Sequence, residues 1–205
     1  MLRQTIASRL HSFIAFLPFM PSSSAQRYTL PAITLHWLLA AGLIGLLVFG
    51  WYMVDLPFSP TKLKYYNWHK WAGVTILLLS VLRLLWRMTH RPPALPRAMA
   101  AAMPRWQQLA HHGVHHLLYA LFFAVPLIGW AYSSAAGFPI VWFGVWQLPD
   151  LVAANPALAE AIKPWHMISA YTLAALIALH IAAALKHQLI DRDGLLRRML
   201  PGQAR

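Results

Sequence analysis

The stretch that decides the fold runs from Trp165 to His187 and reads WHMISAYTLAALIALHIAAALKH. It carries two histidines, His166 and His180, 14 residues apart in a largely apolar run. At about 100° per residue, this spacing returns to within roughly 40° of the same helix face and separates the two rings by about 21 Å along the axis. That separation approaches the depth of a bilayer's hydrocarbon core. Two ionisable rings on one face of such a helix need partners inside a bundle.

Imidazole is a common metal ligand, and these two rings lie near opposite ends of one apolar helix. The hypothesis from this stretch alone is that the helix carries one ligand to each of two haem irons. The sequence contains no Cys, which excludes disulfides, iron–sulfur clusters and covalent haem attachment through C-x-x-C-H. Any redox centre must therefore be held by His, Met or Tyr.

The composition is that of a membrane protein rather than a soluble domain. Hydrophobic residues make up 59% of the 205 residues, charged residues make up 11%, and the mean hydropathy is +0.51. A net charge of +12 is a feature of many nucleic-acid-binding proteins. However, the basic residues lie at the ends of apolar runs rather than along one polar face, so membrane topology explains them better. No nucleic-acid partner is expected.

Four apolar segments are long enough to cross a bilayer as helices. The first contains no charged residue, and Pro31 precedes it at a position suited to a first turn. The third is expected to bend at Pro126. The connection to the fourth segment is rich in aromatic residues and Pro, which predicts an interfacial loop with a short helix at Pro156 to Ile162. The predicted helices cover about 34–54, 66–88, 108–132 and 165–188.

Residues 1–26 form an N-terminal extension in which Arg3 and Arg9 precede a short apolar run, a layout typical of a weak signal peptide. Pro18 interrupts this run, and the run is too short to span a bilayer. A loose cytoplasmic extension, or a true start at Met20, is therefore the favoured interpretation. The membrane domain is predicted to cover residues 27–201, with residues 202–205 as a C-terminal tail.

The distribution of Lys and Arg predicts the orientation of the chain. Thirteen of the 17 lie in the N-terminal segment, around the connection between the second and third helices, or at the C-terminal end. By the positive-inside rule these segments face the cytoplasm, so both termini are cytoplasmic and the chain crosses the membrane four times. The predicted fold class is an all-α membrane protein, a bundle of four transmembrane helices that binds two haems b.

This topology assigns a depth to each candidate ligand. His36 begins the first helix and His180 lies near the end of the fourth, both towards the cytoplasm. His69 begins the second helix and His166 begins the fourth, both at the opposite side. A low-spin haem needs two axial ligands at one depth on facing helices, which matches these two pairs. A lone His near a helix end is usually interfacial, so a haem-free membrane protein with interfacial histidines remains the alternative.

Five further residues are candidates for contacts to haem propionates or to a quinone. Arg83 follows His69 by 14 residues and is equally well explained as a propionate partner or as a snorkelling anchor at the membrane edge. The run from His111 to His116 is metal-like, but His112 and His115 could instead face a propionate or a quinone. A cytoplasmic quinone pocket is predicted near these residues and the end of the fourth helix, with contacts from Arg83, His115, Lys186 and His187.

Six motifs together resemble the bacterial diheme cytochrome b561 family, which is similar to the cytochrome b subunits of nickel–iron hydrogenases. The resemblance covers roughly Arg27 to Pro201, and the set is specific in order and spacing although the first motif alone is weak. The doubled histidines at 111–112 and 115–116 and the longer N-terminus depart from a typical member. The motifs are LHW at 35–37, NWHKWAG at 67–73, VLRLLWR at 81–87, HHGVHHLLYALFFAVPLIGW at 111–130, KPWH at 163–166 and ALHIAAALKH at 178–187.

The resemblance implies a four-helix b-type cytochrome of the bacterial inner membrane with two haems b. Its ligand positions match His36 and His180 for the cytoplasmic haem, and His69 and His166 for the periplasmic haem. A well-studied branch of the family oxidises superoxide at the outer face and passes electrons to ubiquinone, so an oxidoreductase of that kind is expected. A rim of outer lysines could steer such an anion, although interfacial anchoring explains it at least as well: Lys62, Lys64, Lys70 and Lys163.

Two functional readings follow from this resemblance. The first is a stand-alone oxidoreductase that takes electrons from superoxide or another small reductant and reduces ubiquinone. The alternative is a cytochrome b electron-transfer subunit of a hydrogenase-like or other membrane dehydrogenase complex. The expected partners are the lipid bilayer, a quinone and a small reductant, with a partner dehydrogenase or a homodimer as further options. The sequence has no long soluble docking segment, which counts mildly against the subunit reading.

Overall fold

In the computed structural model, which describes residues 27–95, 101 and 103–202, the chain forms four long helices. All four are long and apolar enough to cross a membrane, and most of their large apolar side chains point outward rather than into a core. That distribution is expected where lipid replaces water as the solvent of the outer surface. The all-α membrane fold class is thereby confirmed. The helices are α1 (Leu30–Val54), α2 (Pro60–Thr89), α3 (Arg105–Ala135) and α4 (Pro156–Lys186).

Helix α2 begins at Pro60, earlier than the predicted residue 66, because local capping chemistry sets its first residue. The Ser59 side chain accepts a hydrogen bond of 3.2 Å from the Lys62 backbone N–H, and Pro60 occupies the first turn. A capping hydroxyl followed by Pro is a strong start signal for a helix. Helix α1 begins at Leu30, where the prediction had Thr34, with a Pro in its first turn but without a capping hydrogen bond from the Thr29 side chain.

The start of α4 differs most from the prediction. Asn155 caps the helix by accepting a hydrogen bond of 3.1 Å from the Leu158 N–H, and one continuous helix then runs through Pro164. The segment Pro156 to Ile162 is therefore helical as predicted, but it forms the first turns of α4 rather than a separate short helix. An internal Pro removes one backbone donor but does not end a helix whose flanking turns are held by packing.

The connection between α3 and α4 contains a small hairpin that the sequence did not predict. Strands β1 (Val141–Trp142) and β2 (Trp146–Gln147) pair antiparallel, and the turn residues Phe143 and Gly144 have φ of 51° and 74°. The loop between the strands has three residues, Phe143 to Val145, and positive φ at the first two lets the chain reverse within it. The Trp142 indole N–H donates to the Trp71 carbonyl at 3.3 Å, which ties the hairpin to the first half of α2.

The helices pack in the order α1 on α2, α2 on α3 and α3 on α4. One cluster of buried aliphatic residues holds the middle of the bundle, with members from all four helices. On α2, Ile76 lies between His69 and Arg83, and on α4, Leu173 lies between His166 and His180. The cluster therefore separates the two ends of the bundle interior. The cluster consists of Leu39, Leu43, Ile76, Leu118 and Leu173.

The two ends of the described chain lie on the same side of the bundle as the connection between α2 and α3. The Arg27 guanidinium donates to the carbonyls of Leu200 and Gly202, and the Arg198 guanidinium donates to the Pro93 carbonyl at 2.9 Å. The Trp37 indole donates to the Met199 carbonyl at 2.7 Å. An even number of crossings requires this arrangement. The predicted N-terminal extension, residues 1–26, and most of the predicted tail, residues 203–205, lie outside the described residues.

Candidate cofactor site in two histidine layers

The four predicted ligands come together as two pairs. The ring centroids of His36 and His180 are 6.2 Å apart with the planes at 65°, and those of His69 and His166 are 6.4 Å apart at 89°. Each pair joins α4 to a different helix, α1 for the first and α2 for the second. All four rings are half-buried in the bundle interior.

A spacing of 14 residues recurs on all four helices. It separates His36 from Gly50 on α1, His69 from Arg83 on α2, His115 from Gly129 on α3 and His166 from His180 on α4. Since about 14 residues is close to four helical turns, the two members of each pair share a face and differ in depth by about 21 Å. We name the set of His36, Arg83, His115 and His180 the His36 layer, and the set of Gly50, His69, Gly129 and His166 the His69 layer.

In the His69 layer, His166 is held by the backbone of α3. Its Nδ1 lies 3.1 Å from the Val125 carbonyl oxygen, so Nδ1–H is the donor and Nε2 carries the lone pair. A Cβ placed on Gly129 would lie 2.8 Å from Cε1 of His166. This imidazole therefore rests directly against the helix backbone.

His69 faces Gly50 in a similar way. A Cβ placed on Gly50 would lie 3.3 Å from Cε1 of His69, and the Phe49 ring stacks near His69 with centroids 6.4 Å apart. Nδ1 of His69 is buried and has no hydrogen-bond partner among the described residues. A buried ring nitrogen without a protein partner is uncommon, and ligand-binding sites are among the places where it is found.

In the His36 layer, charged and polar side chains take the places of the glycines. One Arg83 nitrogen lies 3.2 Å from Nδ1 of His36, while another donates to the Tyr119 hydroxyl at 3.1 Å and a third to the Ala32 carbonyl at 3.3 Å. Because guanidinium only donates, Nδ1 of His36 accepts in this arrangement. Binding of a metal through Nε2 of His36 therefore requires Arg83 to release Nδ1. The reading of Arg83 as a snorkelling anchor at the membrane edge is not what the contacts show.

The run from His111 to His116 divides into two faces. His115 lies in the bundle with its ring 5.2 Å from that of His180 and 4.7 Å from that of His111, and its Nδ1 donates to the His111 carbonyl at 2.6 Å. His112 is exposed, and its carbonyl accepts from the ring of His116, which is also exposed. His115 thus faces the bundle interior and His112 lies on the outer face of α3, while the predicted contacts of both residues to a propionate or a quinone stay predictions. His111, absent from the predicted contacts, is the residue that accompanies His115.

Lys186 and His187 find their partners in the tail. The Lys186 ammonium lies 2.6 Å from an Asp191 carboxylate oxygen, and Nδ1 of His187 lies 2.6 Å from Asp193 and 3.1 Å from Asp191. A π-helical turn, His187–Asp191, and a left-handed residue, Arg192, fold the acids back onto His187. These ion pairs account for the positions of the Lys186 and His187 side chains without a bound quinone. The predicted contacts of the two residues to a quinone therefore stay predictions.

A basic cavity opens beside the His36 layer. It has a volume of about 340 Å³, and no acidic residue lines it. Arginine recognises carboxylates and other anions through paired N–H donors. The cavity therefore suits an anionic group at this side of the bundle. Its polar and aromatic lining consists of Arg27, Tyr28, Thr29, Arg83, Trp86, Arg87, His90, Arg91 and Tyr119.

The four lysines on the opposite side each have a local partner. Lys62 donates to the Val54 carbonyl at 2.9 Å, and Lys64 lies 4.9 Å from the centre of the Trp68 ring. Lys70 lies 3.4 Å from the Phe138 and Pro139 carbonyls, and Lys163 lies 3.8 Å from the Glu160 carboxylate. These contacts favour the anchoring interpretation of the lysines, and they leave the positive charge of this rim in place.

The two layers fit a metal held between paired imidazoles. Two metal–nitrogen bonds of about 2 Å, with about 1 Å from each nitrogen to its ring centre, predict centroids about 6 Å apart. The observed values of 6.2 and 6.4 Å agree. Neutral imidazoles flanked by aliphatic and aromatic walls are also the donor set that holds a porphyrin iron in a bundle. On donor type, spacing and burial, both layers suit haem.

Comparison with known proteins gives a consistent result along nearly the whole described chain. Residues 27–202 match the family model described as prokaryotic cytochrome b561. Cytochrome b561 homolog 2 of Escherichia coli (strain K12) is 33% identical over 186 residues, 87% of this chain and 94% of that protein. Probable superoxide oxidase CybB of Yersinia pestis is 32% identical over 182 residues, 86% and 97% of the two chains. Cytochrome b561 homolog 1 of E. coli is 30% identical over 180 residues, 86% and 98%.

Proposed function

The chain belongs to the prokaryotic cytochrome b561 family, and from this premise we propose that it is a diheme b-type cytochrome that carries electrons across the bacterial inner membrane. Family membership establishes a membrane protein that binds haem b and takes part in electron transfer. We further propose that there are two haems, one in each layer. The pairing of His36 with His180 and of His69 with His166, at centroid separations of 6.2 and 6.4 Å, is the observation that carries this proposal.

When bound, each haem supplies a one-electron ferric–ferrous couple. The residues of the chain supply ligation, burial and electrostatics around it. His166 presents Nε2 because its Nδ1–H is committed to the Val125 carbonyl, and a fixed acceptor on the other ring nitrogen orients an imidazole ligand and raises its basicity. The aliphatic cluster lies between the two layers and excludes water from the bundle interior. Side reactions that involve water are therefore kept out of the region between the two layers.

The proposed orientation follows from the charge distribution. Both termini and the basic cavity face the cytoplasm, and the His69 layer lies towards the periplasm. Electrons from superoxide, or from another small reductant, would enter at the His69 layer, where the lysine rim attracts anions. A relative from Yersinia pestis bears the name of a probable superoxide oxidase, which supports this donor.

Ubiquinone is the proposed acceptor, reduced on the side of the His36 layer. The basic cavity there is lined by Arg83, His90 and Tyr119, which can bind a reduced, anionic quinone oxygen or a haem propionate. Quinone reduction consumes protons, and residues that open to the cytoplasm are suited to deliver them.

The test begins with the purified protein. We expect about two b haems per chain by extraction, a b-type reduced-minus-oxidised spectrum, and reduction of a soluble ubiquinone analogue by enzymatically generated superoxide. A second polypeptide that co-purifies, together with a lack of reaction with superoxide, would favour the dehydrogenase-subunit alternative. A preparation without any b-type signal would refute the proposal, because a haem-free membrane protein with interfacial histidines would then remain.

A further inference from the structure

Gly129 occupies an unusual position on α3, directly against the imidazole of His166. A Cβ at this position would lie 2.8 Å from Cε1, 3.0 Å from Nδ1 and 3.5 Å from Nε2 of that ring. Distances below 3 Å are essentially never observed for a real Cβ. Any residue other than Gly at position 129 would therefore displace the ring or separate α3 from α4.

The absent side chain also exposes a hydrogen-bond acceptor. A helical side chain covers the turn on the N-terminal side of its own Cα. The side chain at position 129 would therefore cover the carbonyl of Val125, which lies one turn earlier and accepts the Nδ1–H of His166 at 3.1 Å. Gly129 leaves that oxygen open to the imidazole. One missing side chain thus allows both the close approach and the hydrogen bond.

We propose that Gly129 is a positioning residue for the iron ligand His166, acting through the exposed Val125 carbonyl. The close approach sets the orientation of the ring, and the hydrogen bond sets its tautomer, with the proton on Nδ1 and the lone pair on Nε2. This inference rests on the proposed function, since it concerns how His166 is presented to an iron.

Gly50 is the weaker counterpart of Gly129 in the same layer. A Cβ on Gly50 would lie 3.3 Å from Cε1 of His69, close enough to require a small shift but short of a clash. Nδ1 of His69 has no partner among the described residues, so no hydrogen bond depends on Gly50. Substitution of Gly50 should therefore perturb the His69 layer less than substitution of Gly129.

The chain also offers matched controls. Gly45 on α1 and Gly113 on α3 are helical glycines, and a Cβ on either would meet nothing within 4 Å. Ala is the better helix former, so the same substitution there should be harmless to the bundle. An effect specific to Gly129→Ala would consequently report on His166 rather than on helix α3 in general.

The experiment compares purified holoprotein of wild type, Gly129→Ala, Gly50→Ala, Gly45→Ala and Gly113→Ala. The readouts are haem b per chain, the low-temperature EPR signals of the ferric haems, and the two midpoint potentials. We expect Gly129→Ala to lose about half of the haem and the signal of one haem, while the other haem is retained and reports an intact bundle. Gly45→Ala and Gly113→Ala should match wild type in all three readouts.

Three outcomes overturn the inference, the third of which applies only if Gly129→Ala does not fold. Gly129→Ala with wild-type haem content, EPR signals and potentials would overturn it alone. Wild type without haem would overturn the proposed function and this inference together. Should Gly129→Ala fail to fold, Gly50→Ala decides: a shifted EPR signal for one haem with both haems retained would support glycine contacts as the positioning device, and unchanged signals would overturn it.

Discussion

The two histidine layers use the same four helical positions but surround their histidines differently. In the His69 layer, the two imidazoles face Gly50 and Gly129, so backbone and van der Waals contact determine where the rings lie. In the His36 layer, the equivalent positions hold Arg83 and His115, so charge and hydrogen bonding surround the rings. The bundle therefore combines one sterically defined site with one electrostatically defined site.

This difference has a consequence for electron transfer. A positive charge near a redox centre disfavours its oxidised state, which carries one more positive charge than the reduced state. Arg83 lies 3.2 Å from His36, a proposed ligand, and belongs to the His36 layer itself, whereas the ring and backbone contacts described for His69 and His166 involve only uncharged groups and the lysines lie outside that layer. We therefore expect the higher reduction potential in the His36 layer. Electrons would then move from the His69 layer to the His36 layer, which is the direction of the proposed periplasmic oxidation and cytoplasmic quinone reduction.

The largest expected effect comes from removal of one ligand at a time. His166→Ala and His180→Ala each leave one layer with a single imidazole, so each variant should retain about one of two haems. Electron transfer from an outer donor to quinone should fall to background in both. Haem extraction and redox titration check this. His166→Ala should keep the His36-layer haem, which has the higher midpoint potential, and His180→Ala should keep the His69-layer haem, which has the lower one. Two variants with the same remaining potential would contradict the layer assignment.

A smaller effect is expected from removal of the charge that distinguishes the layers. Arg83→Met should lower the midpoint potential of the His36-layer haem by an amount on the order of tens of millivolts, since one nearby charge in a partly solvated site contributes roughly that much. The His69-layer potential should not move.

Arg87→Met is the matched control for Arg83→Met. Its guanidinium lies 5.5 Å from the centre of the Tyr119 ring, and no described hydrogen bond joins it to His36. Spectroelectrochemical titration of both variants measures the contrast. An equal fall in the two potentials of Arg83→Met, or the same shift in Arg87→Met, would rule out a layer-specific electrostatic role.

The lysine rim is expected to act mainly on rate. The double variant Lys62→Gln and Lys64→Gln should slow reduction by an anionic donor several-fold at low ionic strength and leave both haem spectra unchanged, because steering acts on encounter. Screening by salt should remove the difference between the variant and wild type. Stopped-flow reduction as a function of ionic strength measures this effect. A difference that persists at high salt would point to structural anchoring instead.

The smallest effect is expected at the hydrogen bond that supports Arg83. Tyr119→Phe removes the acceptor of one Arg83 N–H at 3.1 Å but leaves the hydrogen bond of Arg83 to the Ala32 carbonyl in place. The expected cost is about 0.5–1.5 kcal/mol in the free energy of unfolding, typical of one hydrogen bond. Thermal unfolding of the holoprotein checks the stability, and the potential of the His36-layer haem should move less than in Arg83→Met.

Several site features could not be read from the sequence because they depend on the approach of two helices. Gly129 lies inside an apolar run, and in the sequence only its 14-residue spacing from His115 distinguishes it from Gly113 or Gly45. Its role arises only where α4 brings His166 against it. The contact between Arg83 and His36 similarly joins two helices, since no local pattern specifies which face of α1 meets α2.

The start of α4 was within reach of sequence reasoning. Asn155 followed by Pro156 is a start signal for a helix, yet the later Pro164 was taken as a boundary. On α3, residues three and four apart are both neighbours on the helix surface, so spacing alone did not decide whether His111 or His112 accompanies His115. The packing of α3 against α4 decides it, because the His115 ring lies 5.2 Å from that of His180 and 4.7 Å from that of His111.

The amino-acid sequence by itself determined that the chain crosses a membrane four times and carries its histidines at two depths. Apolar length and charge distribution set the crossings, and helical periodicity sets the depth of each side chain along its own axis. Only the tertiary structure decided what stands opposite each ring, glycine in one layer and arginine or histidine in the other. Those contacts depend on the rotation and separation of neighbouring helices, which arise from packing of all four helices together.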